Sequence, residues 1–410
     1  MILIENAHVM TMDHRKEFPN GFLLMGTEEE KGRILAVGDG DGQDALLAAC
    51  GHDGLDPAAC RIVDAAGGVL LPGLIDPHCH IGLWQDGQRE ETGDGNEMTD
   101  PCTPHLRAID AINPFDACFR EAYEAGITSV MTGPGSANVI AGQFAFIKTF
   151  GTSLDRMVVD PCPAMKAALG ENPKGVYGPR NAFPGSRMGN AAVFREALLK
   201  ARKYMEAREK HRIDPTAAEP EYNMKHEALI PVLEGKLPLK IHGHRSDDLL
   251  TAVRICKEFN LRYTLDHCTE GYRVVDHLAE EYAAGRLQGV LTGPLLSDRS
   301  KPELAHSTIR NPGILSGHGI PTAILTDHPV IPIQYLAITA AVAAREGMDE
   351  YAALEAITIT AARLCNVSAR VGSLTVGKDG DAVILSGHPF DYRTRVRETV
   401  ISGKTVYTAR

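Results

Sequence analysis

The stretch LIDPHCHIGL, residues 74–83, sets His78 and His80 one residue apart at the end of an apolar run. Side chains alternate faces along a strand, so positions i and i+2 share a face. Both imidazoles therefore emerge on one side, which fills a core poorly and begins a metal site well. Residues of ligand type recur in the same setting further along. Lys166, His242 and His244, His267 and Asp327 all stand at the ends of apolar, strand-like runs. Imidazole and carboxylate donors without a cysteine pattern suit Zn²⁺ or a similar divalent transition ion. His244 is set apart: within a regular strand it points opposite to His242, and it turns inward only if the strand ends at 243.

The elements that must position these groups alternate. GITSVMTG (126–133), LPLKIHGH (237–244), LRYTLDHC (261–268), LQGVLTGP (287–294) and PTAILTDHP (321–329) read as strands. AAVFREALLKARKYMEAREK (191–210), SDDLLTAVRICKEF (246–259) and IQYLAITAAVAAREG (333–347) read as helices. Strand-then-helix order implies parallel strands with helical crossovers. Counting back from 327 gives about eight strands, which predicts an α/β fold with a (β/α)₈ TIM-type barrel over 67–366, its strand C-termini forming the active face. Residues 1–66 and 367–410 are β-rich with turns, and they predict one small β-sandwich-like domain built from both chain ends. DGDGQD (39–44) lacks the glutamate of a calcium loop and reads as a turn-rich loop.

Composition narrows the function classes. The 410 residues carry a net charge of −11, and nucleic-acid binding would need a basic excess instead. Nine scattered cysteines do not form a disulfide framework and suggest a reducing compartment. MILIENAHVMTMDHRKEF lacks a charged-then-apolar signal pattern, and no apolar run approaches the length of a bilayer span. The expectation is a cytoplasmic protein without nucleic-acid or membrane partners, acting on a small molecule, with a homo-oligomer left open.

PGLIDPHCH, KIHGHRSDD, LDHCTEG and LTDHP, followed by TITAARLCNV and VGSLTVGKDGDAVIL, resemble the amidohydrolase superfamily. The likeness is strongest to the branch that includes imidazolonepropionase and related metal-dependent amidohydrolases. The resemblance implies metal ligands at His78, His80, His242, His267 and Asp327, with Asp327 also the catalytic proton shuttle. Lys166, in PAMKAALGENP, falls where binuclear members carry a lysine carboxylated by CO₂ that bridges two metals, so the resemblance implies one or two ions per chain. Without that carboxylation the site is mononuclear and His267 binds substrate. One departure stands out. Imidazolonepropionase and many deaminases of the superfamily carry a glutamate two or three residues after the fifth-strand histidine, whereas positions 244 and 245 here are His and Arg.

Substrate contacts are sought among arginines near the expected mouth: Arg89, Arg180, Arg187 and Arg245, with His244 beside them. A guanidinium fork suits a carboxylate, which points to an N-acyl amino acid, a dipeptide or a cyclic amide acid. Two long loops rich in Gly, Pro and Asn, 82–109 and 170–190, read as lids or binding loops. The leading expectation is a metal-dependent hydrolase of a C–N amide bond that uses metal-activated water. The alternatives are a cyclic C–N hydrolase like imidazolonepropionase, a deaminase, or a non-catalytic barrel scaffold.

Overall fold

A computed structural model describes residues 1–26, 32–53, 57–85 and 93–409. The chain begins with strands β1 (Ile2–Met10), β2 (Glu17–Met25), β3 (Ile34–Asp39), β4 (Arg61–Asp64) and β5 (Val69–Pro72). Alternation gives β1 and β2 two apolar faces. Ile2, Ile4, Leu23 and Met25 join one core. Leu3, Phe22 and Leu24 pack on Leu46 and Cys50 of the helix Gln43–Asp53. That helix interrupts the expected all-strand start. The backbone N–H of Gln43 donates to Asp41 at 3.0 Å, so an acid of the DGDGQD turn serves the helix start.

The middle of the chain supplies β6 (Leu74–Cys79), β7 (Ile127–Thr132), β8 (Ile140–Gln143), β9 (Ala145–Lys148), β10 (Val158–Asp160), β11 (Met165–Ala168), β12 (Leu239–Gly243), β13 (Tyr263–His267), β14 (Leu287–Thr292) and β15 (Thr322–Ile324). They form a four-stranded sheet in the order β10-β9-β7-β6 and a six-stranded sheet in the order β15-β14-β13-β12-β11-β8. β6 and β7 are parallel, as are β11 through β15. β9 runs antiparallel to β7, and β8 antiparallel to β11. This departs from the parallel order expected throughout, and loop length explains it. Only residues 133–139 separate β7 from β8, with no helix among them. A parallel return needs a crossover of about a dozen residues or more, so a chain returning this soon must run antiparallel. At the far edges, the Asp327 N–H donates to the His78 carbonyl (3.3 Å) and the His80 N–H to the His328 carbonyl (2.9 Å).

Helices cover the parallel strands. Ser246–Phe259 buries Leu249, Ala252, Ile255, Cys256 and Phe259, the spacing of one helical stripe, with Asp247 and Asp248 in its first turn. After the last helices, β16 (Ala382–Leu385), β17 (Val396–Ile401) and β18 (Lys404–Thr408) return to the N-terminal strands and complete an eight-stranded sheet. β16 pairs with β5, so this sheet takes in Val69–Pro72, beyond the expected edge at residue 66. One face packs Val69, Leu71, Val383 and Leu385 against Leu354 and Ile359.

A buried ion pair ties the end sheet to the middle strands. Lys148, the last residue of β9, meets Asp379 at 3.0 Å and also bonds Asp381, and all three side chains are at most 7% exposed. Lys148→Met strands the Asp381 carboxylate in the interior. We expect a loss of about 3–5 kcal/mol in unfolding free energy, read as a lower urea midpoint at unchanged slope; an unchanged midpoint would show that the pair does not bind the two parts together.

Candidate metal centre

The site begins with Asp76. Its buried carboxylate accepts from the His78 N–H (3.2 Å), from the Thr326 N–H (3.3 Å) and from the Thr326 hydroxyl. It draws the ends of β6 and β15 together, and burial raises its pKa to about 7. His78 and His80 then face the same side, as alternation requires. The Nδ1 of His78 lies 2.6 Å from Asp266 Oδ2, that of His80 2.7 Å from the Gly133 carbonyl, and that of His267 2.9 Å from the Gly293 carbonyl. Each Nδ1 is thereby committed as a donor, which leaves the Nε2 lone pair for the site. His80 Nε2 stands 3.2 Å and His78 Nε2 3.6 Å from Asp327 Oδ1.

His242 and His267 come from β12 and β13, with ring centroids 4.4 Å apart. β12 ends at Gly243, so His244 leaves the strand alternation and turns inward, 4.7 Å from the His242 ring and 4.8 Å from that of His267. This corrects the outward orientation that a regular strand would give. His267 and Asp327 reach their places from left-handed backbone, at φ 67° and 57°. Such backbone costs about 1–3 kcal/mol in non-glycine residues and clusters at functional sites. The result is two donor groups, His78 with His80 and Asp327, and His242 with His244 and His267, each with ligand atoms within 4.8 Å of one another.

Lys166 lies on β11, fully buried, its Nζ 3.4 Å from His78 Nε2. Burial lowers its pKa to about 8, against the pull of Asp266 and Asp327. Burial likewise holds His78, His242 and His244 well below the usual imidazole range, and lowers His267. The rings are therefore neutral, the form that binds metal. Asp327 goes the other way. Burial opposes its ionisation, but His267, His80 and His78 outweigh burial and hold it below the usual carboxylate range.

These residues fit a divalent ion. The donors are neutral imidazoles, a carboxylate and a lysine amine. His242 Nδ1 is buried without a hydrogen-bond partner, as a nitrogen reserved for coordination would be.

A hollow of about 690 Å³ opens over both groups, lined by His80, Trp84, His242, His244, Lys301 and Asp327 among others. Of the expected substrate arginines, Arg180, Arg187 and Arg245 do not line it. Arg187 is held by Asp248 (3.0 Å), and Arg245 lies flat on Asp247 through two 2.9 Å bonds. Arg180 bonds the Met98 carbonyl at 2.8 Å, and Arg89 lies outside the described residues. Asp247, two positions on, captures Arg245, while Asp248 and the Met98 carbonyl, both distant in sequence, hold Arg187 and Arg180. Lys240, Asp266, Asn172, Glu303 and Lys301 went unrecognised in the sequence. A signal existed for the first two: Lys240 stands two positions before His242, and Asp266 two after Thr264, so each shares its neighbour's face.

The amidohydrolase family model matches residues 233–407. The crystal structure of an amidohydrolase from Thermotoga maritima MSB8 is 36% identical, covers 100% of both chains and superposes with a TM-score of 0.90. The amidohydrolase tasK of Hapsidospora irregularis is 28% identical over 81% of this chain, which spans only 36% of that longer protein. A zinc-bound adenosine deaminase from Xanthomonas campestris, 17% identical with a TM-score of 0.55 over 98% of this chain and 92% of its own, shares the fold. No described helix is long and apolar enough to cross a membrane.

Two outcomes follow from the geometry. Asp266→Asn removes the charge that fixes His78, and divalent-metal affinity should fall about 10–100-fold, measured by competition with a chelating dye; unchanged affinity would remove Asp266 from the site's support. Lys166 should also leave a pH signature in metal-stripped protein. Its pKa is about 8 folded against 10.5 in the free side chain, so between these values the unfolded chain binds the extra proton. Stability therefore rises with pH across that window. Urea midpoints from pH 7.5 to 10 should show a rise that is reduced in Lys166→Met; parallel curves would refute it.

Proposed function

Because the chain belongs to the amidohydrolase family, we propose that it is a metal-dependent hydrolase cleaving a C–N amide bond of a small substrate in the hollow above the histidines. The observation that carries this reading is the gathering of two buried donor groups and Lys166 beneath one hollow. In the same reading the two middle sheets close into one (β/α)₈ barrel. The run β8–β9 serves as its third strand and β10–β11 as its fourth.

His78, His80 and Asp327 would hold one divalent ion, and His242 and His267 a second. Zn²⁺ suits this set of imidazoles. Lys166, carboxylated by CO₂, would join the two positions. The lowered pKa of Lys166 supports this, because only the neutral amine attacks CO₂. When bound, such an ion lowers the pKa of water towards neutrality and polarises a carbonyl.

The chain's own residues do the rest. Asp327 is held as a carboxylate beside His78 and His80, and in this reading it takes the proton of the attacking water and returns it to the leaving nitrogen. Its backbone at the end of β15 holds it against His78 and His80, the direction from which attack would come. His244 faces the hollow and contacts the substrate. Trp84, its ring 4.6 Å from that of His80, forms a wall that excludes water from the bond being cut.

Metal content per chain, and amine release from a panel of N-acyl amino acids and dipeptides, test the reading together. Ammonia release would mark a deaminase instead. Asp327→Asn should lower kcat by about 10²–10⁴-fold with KM little changed, metal content being measured in the same samples. Near-normal turnover by a metal-loaded variant would assign the proton transfer elsewhere.

A further inference from the structure

Among the described residues lining the hollow, Lys301 is the one lysine or arginine. The lining carboxylates are Asp298, on the exposed rim, and Asp327, which is engaged by the histidines. Lys301 Nζ donates to the neutral Asn172 Oδ1 at 2.9 Å. An ammonium has three donors, so this contact orients the charge without cancelling it. The other end of Asn172 reaches the site, its Nδ2 lying 3.4 Å from His242 Nε2. One side chain therefore fixes how far the cation stands from the second donor group.

The loop that carries Lys301 is pinned. Pro302 restricts the backbone directly after it. Glu303 is fully buried, and its Oε2 accepts from the Glu171 N–H at 3.0 Å, next door to Asn172. The other oxygen of Glu303 faces His244 Nε2 at 3.7 Å. The segment after β14 and the start of the helix Glu171–Tyr177 are thus clasped by a buried carboxylate, and Lys301, itself solvent-exposed, lines the hollow beside that clasp.

We propose that Lys301 anchors a carboxylate of the substrate, which makes the substrate class small amides bearing a carboxylate, such as N-acyl amino acids and short peptides. The amide part of this statement rests on the hydrolase reading; the carboxylate part does not. The two donors that the Lys301 ammonium keeps beyond Asn172 suit the two oxygens of a carboxylate. Trp84, Met98 and Val176 give the hollow apolar wall for the rest of the molecule.

The chain holds a single tryptophan, and it is Trp84 in this wall. Its fluorescence therefore reports occupancy of the hollow without any need for turnover. The probes are N-acetyl-L-alanine and its neutral amide, titrated into the metal-loaded protein. The acid should bind at least about tenfold more tightly than the amide, the scale of a hydrogen bond to a charged group. Lys301→Met should abolish that preference and Lys301→Arg should restore most of it, at unchanged metal content. Equal binding of acid and amide, or a preference that survives in Lys301→Met, overturns the proposal. Acid bound through Lys301 but never hydrolysed leaves the anchor standing and sinks the hydrolase reading. Hydrolysis indifferent to Lys301 does the reverse.

Discussion

Asp266 lies wholly inside the protein, and one of its oxygens serves both His78, at 2.6 Å, and Lys240, at 3.1 Å. Its other oxygen accepts from the Thr264 hydroxyl at 2.8 Å. An unpaired charge at this depth costs several kcal/mol, so the partners must arrive together. They come from β6, β12 and β13, which fixes the relative height of three strands. Lys166 and Lys240 are register partners on β11 and β12. Only Lys240 has Asp266 within ion-pair distance, and Lys166, with no ion pair of its own among the described residues, becomes the lysine whose burial lowers its pKa. One carboxylate thereby orients an imidazole, pairs with one lysine and leaves the neighbouring lysine without an ion pair among the described residues.

The parts of this arrangement that follow regular alternation were legible in the sequence. His78 and His80 share a face because β6 is regular through Cys79. The helix Ser246–Phe259 lies where its apolar stripe and opening acids place it. What escaped is what breaks period. His244 turns inward because hydrogen bonding in β12 stops one residue earlier, and strand ends are the least readable feature of a sequence. His267 and Asp327 occupy left-handed backbone that no pattern of apolar residues announces. The reversed run β8–β9 had a signal in its short preceding connection, one that strand-then-helix counting passes over. Arg187 and Arg245 are held away for an electrostatic reason, since HRSDD contains the acids that engage them.

Floor and walls of the hollow are built under different rules. The floor comes from strand ends, where Asp266 and the Gly133 and Gly293 carbonyls commit the Nδ1 of His78, His80 and His267, and Asp76 holds the His78 backbone N–H. Those bonds tolerate little exchange, because each lost partner leaves a buried polar group unsatisfied. The walls come from the segments that follow the strands, where Trp84, Asn172 of the helix Glu171–Tyr177, Lys301 and Leu304 line the hollow. In the proposed reading the floor carries the chemistry and the walls the choice of substrate.

Glu303 is where the two sets of rules meet. Its carboxylate is as buried as any group on the floor, yet it sits in the short 3-10 turn Pro302–Leu304 and bonds the first residue of the helix Glu171–Tyr177. Burial raises its pKa, and the Glu171 N–H works against that shift. Its free oxygen faces His244, the histidine that left its strand to join the donor groups. A wall whose base is secured in this way transmits position in both directions. The height of the Lys301 ammonium over the hollow is referred, through Glu171 and Asn172, to the same histidines that the floor holds from below. An anchor and a donor group that share such a frame keep a constant separation, and in the proposed reading that separation would set where along a substrate the bond is cut.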